Sequence, residues 1–353
     1  MIKYIGSKRL LLPNIVRAAH ALPGGRRVLD LFSGTSRVGH AFKAAGYQVT
    51  ANDHNSYAYR LAQCYVQADR ANVVGDAERL LAELARLPGR AGYFTETFCQ
   101  RSRYVQPHNG ERVDAIRERI AQLALEPVLE SVLLVSLMEA ADRVDSTCGL
   151  QMAYLKKWSA RSHNQLELRM PDVLPGAGDA WHSDALEAAG RASFDLVYLD
   201  PPYNQHRYLG NYHVWESLVR WDKPEVYGLA MKRMDAKDYK SDFNSRPRIR
   251  EALSKVVERL DTRYVLVSFN NEGYLSHEEL AEMLAVRGEV ASLELNYKRY
   301  VGAQIGIYNP QGEKVGRVSH LRNSEYLFLA GPDANRLLAH STEAAGAVSA
   351  SAE

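Results

Sequence analysis

Hydrophobic and polar positions in the first part of the chain switch between the spacing of a strand and the spacing of a helix. An apolar run at 27–32 predicts a short buried strand, residues 37–45 predict a helix that ends at Gly46, and residues 47–52 predict a second strand. A strand, a helix and a strand in this order form a βαβ unit. This opening therefore predicts a parallel sheet with helices packed on it.

Helical patterns dominate the middle of the chain. After a helix predicted over about 57–68, strand patterns become scarce. The strongest helical patterns lie at 111–123 and 127–143, whereas 93–109 has little periodicity. Helical patterns without strands, placed inside an alternating α/β pattern, indicate an inserted subdomain. We therefore assign residues 69–170 to a mainly helical insert.

Strand patterns return in the second half and complete the sheet. Three apolar runs and three amphipathic stretches predict strands at 194–199, 263–270 and 289–296 and helices near 211–221, 249–260 and 276–285. A turn-rich segment at 302–316 leads to a last apolar run at 325–329, and such a hairpin would put an antiparallel strand on the edge of the sheet. Residues 1–68 and 171–332 are thus predicted to form one α/β domain with a Rossmann-like sheet. The tail at 333–353 is rich in Ala, Ser and Glu and is expected to be disordered.

Composition limits the ligand classes and the compartment. Over 353 residues, 44 Lys and Arg stand against 42 Asp and Glu, so local basic patches would have to bind any nucleic acid. Cys64, Cys99 and Cys148 are isolated, and no His lies at metal-ligand spacing, which argues for a reducing compartment and against a structural zinc. The start of the chain has no signal-peptide core, and no apolar stretch approaches a membrane span. We expect a cytoplasmic protein with no membrane and no metal partner.

The most informative motif follows the predicted strand at 194–199 and consists of Asp200, Pro201, Pro202 and Tyr203. The amine of a flat heterocycle attacks poorly because its lone pair is delocalised into the ring, and it becomes reactive when acceptors hold both N–H bonds. The Asp200 carboxylate and the Pro201 carbonyl form such an acceptor pair, which proline geometry keeps rigid. Tyr203 offers a face for a base that has left the duplex. The alternative interpretation of the same four residues is an ordinary Pro-Pro turn after a strand, with Tyr203 packed in the core.

Two further features lie where the first and second predicted strands end. Gly34 lets the backbone approach a ligand closely, and Asp53 stands where an acid binds ribose hydroxyls in nucleotide-binding sheets. Their separation of about twenty residues suits this role. The chain has neither a GxGxxG fingerprint nor a GxxxxGK[ST] phosphate loop, which disfavours a dinucleotide or a nucleoside triphosphate. The pattern predicts a nucleoside site, although each residue alone also suits a plain turn or a surface carboxylate.

Together these motifs resemble those of the Dam-like, D12-class N6-adenine DNA methyltransferases, over most of the chain from Tyr4 to about Leu329. The segments 103–110 and 113–117 look closer to the FokI-type methyltransferases than to Dam itself. The resemblance implies a Rossmann-like methyltransferase sheet with a helical target-recognition insert. It also implies S-adenosylmethionine as cofactor and double-stranded DNA as partner, and it leaves a cognate restriction enzyme open as a second partner.

The resemblance assigns two cofactor motifs. The amino-terminal motif, which contacts the cofactor in that class, corresponds to Tyr4, Gly6, Ser7 and Lys8. The loop that matches the FxGxG motif contains Asp30, Phe32, Ser33, Gly34 and Thr35. Ser36 departs from the pattern because it stands where this motif has its second glycine, which puts the backbone path of the loop in question.

The remaining positions concern the cofactor's nucleoside and the reaction. By the same resemblance Asp53 binds the ribose, and Asp184 lies beside the cofactor's adenine, although a helix N-cap explains Asp184 equally well. Asp200 borders the cofactor and, with the residues up to Tyr203, forms the catalytic motif.

Basic residues predict where DNA is held. The segment 206–250, which follows the catalytic motif and begins with Arg207 and Tyr208, has ten Lys or Arg against six Asp or Glu. A solvated helical face over buried aromatic residues is the alternative there, and for Trp215 it is the expected one. We predict phosphate contacts in the insert from Lys156, Lys157 and Arg161. Base-edge contacts are predicted from Arg101, Arg103, Gln106 and Asn109.

The prediction is a site-specific enzyme that methylates N6 of a flipped adenine in duplex DNA. The same fold acting on adenine in RNA or on cytosine N4 in DNA is the nearest alternative. Cytosine enzymes more often carry serine at the position of Asp200, so the resemblance favours adenine. A non-catalytic DNA-binding protein with a methyltransferase-like fold is the alternative of another class, and the intact motif at Asp200 argues against it.

Overall fold

The structure, a computed structural model, describes residues 1–298, 307–308, 314–316 and 322–341. Its centre is a seven-stranded sheet to which both halves of the chain contribute. The strands in chain order are β1 (Arg27–Asp30), β2 (Gln48–Asn52), β3 (Asp179–Trp181), β4 (Ser193–Leu199), β5 (Val226–Tyr227), β6 (Lys232–Arg233), β7 (Asp261–Asn270), β8 (Glu289–Lys298), β9 (Ile307–Tyr308), β10 (Lys314–Gly316) and β11 (Arg322–Gly331).

The sheet is mostly parallel, as the βαβ opening predicts. Its spatial order is β3-β2-β1-β4-β7-β11-β8, and the first five of these strands are parallel to one another. Strand β11 runs antiparallel to both β7 and β8. Two small antiparallel pairs, β5 with β6 and β9 with β10, lie outside this sheet. The chain order reverses between the neighbouring strands β1 and β4, so the connections that leave them run in opposite directions and open a crevice at their carboxyl ends.

The helices cover both faces of the sheet and build the insert. They are α1 (Leu12–His20), α2 (Arg37–Ala44), α3 (Ser56–Ala62), α4 (Arg70–Ala85), α5 (Pro107–Gln122), α6 (Pro127–Arg143), α7 (Ala185–Ala189), α8 (Tyr208–Asn211), α9 (His213–Arg220), α10 (Asp235–Asp238), α11 (Ile249–Arg259) and α12 (His277–Leu284). Local sequence sets several ends: Ser276 and Glu279 form a capping box at the start of α12, and Asp69 caps α4.

Alternate residues of the central strands point to opposite faces and bury two separate cores. Val28 and Tyr198 pack in the core that includes α1 and α2, whereas Leu29 and Val197 pack in the core that includes α7, α11 and α12. The central strands are therefore apolar on both faces, which is why their sequences read as continuous apolar runs.

A third core is formed by α4, α5 and α6 of the predicted insert together with α3 and α9, which lie outside it. The segment with little periodicity contains a π-helical turn, Thr95–Gln100. The buried carboxylate of Asp114 on α5 accepts hydrogen bonds from the backbone N–H groups of Gly92, Phe94 and Thr95 and so holds the start of this turn. From 144 to 170 the only described helical turn is Ala160–His163, so that part of the insert is less helical than predicted.

The structure differs from the sequence prediction at three places. Strand β3 was not predicted, because it has three residues and no buried side chain, so it carries no apolar run. Strand β11 is antiparallel as predicted, but it lies inside the sheet and β8 forms the edge. The tail is helical over 334–341 with Leu337 and Leu338 buried, so the expectation of disorder does not hold there, and 342–353 lie outside the described residues.

The predicted hairpin at 302–316 is described only at β9 and β10, which pair antiparallel. Helices in the described part of the chain are all too short or too polar to cross a membrane. All three cysteines are unpaired, and only Cys148 is exposed.

Candidate active site

A cleft lies beyond the carboxyl ends of β1, β2 and β4 and encloses about 980 Å³, including its opening to solvent. It brings together every residue that the sequence assigns to the cofactor. These are Tyr4, Gly6, Ser7, Lys8, Asp30, Phe32, Ser33, Gly34, Thr35, Asp53, Asp184 and Asp200. Pro202 and Tyr208 line the same cleft.

The loop after β1 has the close approach that its glycine predicts. Gly34 has a φ of +51°, and a Cβ at this position would lie 3.2 Å from the ring of Tyr4. Ser36 has a φ of +58°, in the left-handed region, at the place where the FxGxG motif has its second glycine. The loop therefore keeps a backbone conformation that favours glycine although the residue is serine.

Two carboxylates shape the floor beside this loop. Asp30 Oδ2 accepts a hydrogen bond from the Gly39 N–H at 2.9 Å, and burial raises the pKa of Asp30 to about 8 despite this bond. Asp53 accepts from the backbone N–H groups of Gly34 and Asn55, each at 2.9 Å, and burial raises the pKa of its carboxyl while these bonds lower it. The acid at the end of β2 is thus tied directly to the glycine loop.

Polar groups of the cleft wall fit a polar ligand. Asp30 Oδ1 and the Ser33 hydroxyl are buried and have no hydrogen-bond partner among the described residues. Buried groups of this kind are usually satisfied, so a ligand with amine or hydroxyl groups suits this wall. Asp184 lines the cleft and also accepts from the Leu186 N–H at 2.8 Å, so its N-cap role is seen in the structure.

Stacked tyrosines close one side of the cleft. The ring of Tyr4 lies 5.3 Å from that of Tyr208 and 4.6 Å from that of Tyr212, both nearly parallel. The Tyr4 hydroxyl lies 3.1 Å from that of Tyr57. Tyr208, which was predicted to contact DNA beside the catalytic motif, lines the wall of this cleft.

Asp200 lies directly after β4, and its side chain is 21% exposed. Lys8 Nζ is 3.1 Å from Asp200 Oδ1 and also pairs with Glu325. Burial raises the pKa of Asp200 to about 6, Lys8 opposes this rise, and Glu325 adds to it. Lys8 was predicted to contact the cofactor. It borders the cleft, but its ammonium is held by these two side chains.

The rest of the motif supports the position of Asp200. Pro201 is buried, and the Tyr203 carbonyl accepts a hydrogen bond from the Tyr274 N–H at 2.9 Å. The Tyr203 ring is half-buried, lies 5.2 Å from the ring of Phe269 and has Lys8 Nζ 5.7 Å from its centroid. One side of the ring is therefore packed, and the ring is not enclosed in the core.

One of the predicted DNA contacts, Asn109, is wrong because its side chain is bound inside the protein, whereas Arg161 is bound there only in part. Asn109 is fully buried, donates to the Asn164 carbonyl and accepts from the Leu166 N–H, both at 2.8 Å. Arg161 pairs with Asp145 at 2.5 Å and donates to the Thr147 carbonyl. Both residues shape the loop at 144–166, but the Arg161 side chain is still 37% exposed, so its contact with a phosphate stays a prediction.

The other predicted DNA residues lie at the surface or near it. Arg101, Arg103, Lys156, Lys157 and Arg207 are exposed. The guanidinium of Arg103 lies 5.9 Å from the ring of Tyr154, and Gln106 donates to His163 Nδ1 at 3.0 Å. Among the predicted DNA contacts, these exposed Arg and Lys side chains are placed where they can reach a phosphate backbone.

The basic segment at 206–250 carries less available charge than its composition suggests. Arg233 is 1% exposed and pairs with Asp222 and Asp235. Arg220 pairs with the same two aspartates. Trp215 is buried, as expected. The acids at 222 and 235 are the sequence signal that these arginines are internally paired.

Sequence reasoning missed Glu325, which is linked to the Asp200 carboxylate through Lys8. It is 3% exposed on β11, which lies between β7 and the edge strand β8. The one feature of the sequence that points to Glu325 is that an acidic residue begins the last apolar run, 325–329. The described residues contain no group of three or more His, Cys, Asp or Glu arranged to hold a metal ion.

Residues 4–283 match the family described as D12 class N6 adenine-specific DNA methyltransferase. The chain belongs to this family. Membership brings S-adenosylmethionine as the cofactor, and the cleft geometry fits it: a glycine loop, an acid at the end of β2, unsatisfied polar groups and an aromatic wall meet there.

Curated relatives agree with this membership. The chain is 30% identical over 320 residues to the modification methylase StsI of Streptococcus sanguinis, covering 85% of this chain and 49% of that protein. It is 29% identical to the type II methyltransferase M.NlaIII of Neisseria lactamica, covering 93% of this chain and 98% of that protein. It is also 29% identical to the type II methyltransferase M.FokI of Planomicrobium okeanokoites, covering 81% of this chain and 47% of that protein. The chain thus spans about half the length of StsI and M.FokI and nearly all of M.NlaIII.

One solved structure, a SAM dependent methyltransferase from Agrobacterium tumefaciens, aligns with a TM-score of 0.36 and 14% identity, covering 92% of this chain and 62% of that one.

Proposed function

We propose that this chain is a site-specific DNA methyltransferase that transfers the methyl group of S-adenosylmethionine to N6 of a flipped adenine in duplex DNA. One observation carries the proposal: a single cleft is lined by Asp200 of the catalytic motif, by the Gly34 loop and by the amino-terminal motif around Lys8. Acceptors for an amine and a nucleoside site are thereby adjacent. Family membership supports adenine in DNA over adenine in RNA and over cytosine N4.

The residues on the cofactor side of the cleft would bind and orient S-adenosylmethionine. S-adenosylmethionine, when bound, supplies a methyl group already activated by a sulfonium, so no covalent enzyme intermediate is required. Asp53 would accept hydrogen bonds from the ribose hydroxyls, and Asp184 would lie beside the cofactor's adenine. Asp30 would accept a hydrogen bond from the amino group of the cofactor's methionine part. The Tyr4 ring forms the wall that excludes water from this side.

The target amine is held by the catalytic motif. The Asp200 carboxylate and the Pro201 carbonyl would accept the two N6 hydrogens, and this grip moves the nitrogen lone pair out of conjugation with the ring. The Tyr203 ring would stack on the base outside the helix. With a pKa of about 6, Asp200 is ionised at neutral pH and more basic than an ordinary aspartate, so it can take the proton that the nitrogen loses after transfer.

The exposed cations of the insert would hold the phosphate backbone. Arg101, Arg103, Lys156 and Lys157 lie in the insert, and Arg207 lies just after the catalytic motif. Contacts of this kind release counterions, so binding should weaken steeply as salt rises. The base-reading side chains are sought among those at 101–106, since Asn109 is buried and bound to two backbone groups.

We also propose that the chain is the modification partner of a restriction enzyme that cleaves the same site. Support comes from its relatives, which include type II methyltransferases and a modification methylase. A matching endonuclease should fail to cut DNA that this protein has methylated.

The test is expression in a host without adenine methylation, followed by single-molecule sequencing of its genome. N6-methyladenine in one short sequence context is expected, and Asp200→Ala should abolish it while cofactor binding, measured by calorimetry, persists. Methylation of cytosine, methylation of RNA alone or turnover by the Asp200→Ala variant would contradict the proposal.

A further inference from the structure

Three charged side chains from distant parts of the chain meet beneath the catalytic motif. Lys8 lies in the short 3₁₀ turn Lys8–Leu10, Asp200 follows β4, and Glu325 lies on β11. The Lys8 ammonium contacts both carboxylates. Lys8 and Glu325 are each 4% exposed at the side chain, so this contact is shielded from solvent.

Glu325 is placed there by the sheet. It pairs with Asn270 of β7 and Leu295 of β8 in the ladder, so its backbone is fixed on both sides. It also lies beyond residues 4–283, the span that matches the family. Burying a second carboxylate so close to Asp200 costs free energy through desolvation and through repulsion between the two acids. A strand position with that cost calls for a physical reason.

The charge balance of the three groups supplies one. If Lys8 faced Asp200 alone, the pair would be neutral, and the ammonium would compete with the target amine for the carboxylate. With Glu325 present, Lys8 divides its donors between two acids, and the formal charges of the three groups sum to −1. A net negative charge next to the amine stabilises the positive charge that develops on N6 during transfer.

We propose that Glu325 is a positioning residue for methyl transfer, which holds Lys8 in place and draws its ammonium away from Asp200, so that the Asp200 carboxylate stays available as an acceptor for the target amine. This inference rests on the proposed function.

The expected signature follows from the groups around Asp200. Those that influence its ionisation or are influenced by it are Lys8, Asp30, Tyr198, Tyr203, Tyr208, Ser268 and Glu325. Among these, Lys8 lowers the pKa of Asp200 and Glu325 raises it. Replacing Glu325 by the neutral, similarly shaped glutamine should therefore lower the pKa of Asp200, because Lys8 then acts on it without opposition.

The experiment compares Glu325→Gln, Glu325→Asp and the wild type, with Glu282→Gln as a matched control. Glu282 is an exposed glutamate on α12 that pairs with Arg250, so its variant loses the same charge away from the cleft. Single-turnover methyl transfer is measured against pH with saturating DNA and S-adenosylmethionine. The infrared carboxyl band that Asp200→Asn removes is titrated in each protein without cofactor or DNA.

For Glu325→Gln we expect the transfer rate constant to fall on the order of tenfold or more, with cofactor affinity changed far less. We also expect the Asp200 band and the acid limb of the rate profile to move to lower pH. Glu325→Asp keeps the charge and should keep the wild-type titration, and Glu282→Gln should match the wild type throughout.

An unchanged rate and an unchanged Asp200 titration in Glu325→Gln would overturn the inference, as would equal shifts in Glu325→Gln and Glu325→Asp. If the wild type does not methylate adenine in DNA, the proposed function fails instead. The infrared titration then still decides whether Glu325 controls Asp200. If Glu325→Gln does not fold, the inference stands only if Glu325→Asp folds and retains the wild-type titration.

Discussion

The backbone N–H of Gly34 donates a hydrogen bond of 2.9 Å to Asp53 Oδ2, so the loop after β1 and the acid after β2 form one unit. A nucleoside bound by Asp53 is therefore aligned by the loop itself. Any change in the path of the loop moves the carboxylate as well.

Gly34→Ala tests this unit. The new Cβ would meet the Tyr4 ring at 3.2 Å in a left-handed backbone, which should cost about 1–3 kcal/mol. We expect S-adenosylmethionine affinity, measured by calorimetry, to fall by about tenfold or more. Gly75→Ala is the matched control: Gly75 lies within α4 with nothing near its Cβ position, so that variant should be as stable as the wild type or slightly more stable. Equal losses of affinity in both variants would contradict the proposed role of the loop.

Much of this site could be predicted because its signals are local. Asp200, Gly34 and Asp53 each follow an apolar run that reads as a strand, and parallel strands bring their carboxyl ends to one edge of a sheet. The βαβ opening predicted that sheet for the same reason. Glu325 had no such signal, because its contact with Lys8 spans nearly the whole chain and depends on β11 entering the sheet beside β7.

The sequence also did not reveal which polar side chains are bound by partners inside the protein. Asn109 and Arg161 are residues that often face DNA, yet one is buried between two backbone groups and the other pairs with Asp145. Strand β3 was missed because three half-exposed residues make no apolar run. Arg233 looks like part of a basic patch until Asp222 and Asp235 are placed on either side of it.

The ionisation of Asp200 predicts how activity depends on pH. In the proposed mechanism Asp200 must be ionised to hold one N6 hydrogen strongly and to take the proton after transfer, and its pKa is raised to about 6. The single-turnover rate constant should therefore be pH-independent well above 6 and fall about tenfold per pH unit well below it. Asp200→Asn should leave only a residual rate, and this rate should not fall at acid pH. If the wild-type rate constant falls only near the pKa of an ordinary aspartate, burial does not control the pKa of Asp200.

Arg103 and Arg161 form a contrasting pair of arginines in the insert. Arg103 is exposed, so Arg103→Ala should weaken DNA binding, reduce the slope of log affinity against log salt by about one, and change stability by less than about 0.5 kcal/mol. Arg161→Ala leaves the buried Asp145 with one cationic partner fewer and should lower the free energy of unfolding by about 2 kcal/mol. Fluorescence anisotropy at several salt concentrations and urea unfolding measure the two effects. An Arg161→Ala protein of wild-type stability that has lost DNA affinity would support Arg161 as a phosphate contact.

Ser36 offers a substitution that should stabilise the fold. Its φ of +58° costs a residue with a Cβ about 1–2 kcal/mol, and its fully buried hydroxyl has no partner among the described residues. Ser36→Gly relieves both, although glycine loses more backbone entropy on folding. We expect urea unfolding to show a gain of about 1 kcal/mol. Ser36→Ala, the control, removes only the hydroxyl and keeps the strained backbone, so it should gain less than glycine. Destabilisation by both variants would mean that the hydroxyl has a partner, and a loss of cofactor affinity in both would make the bound cofactor that partner.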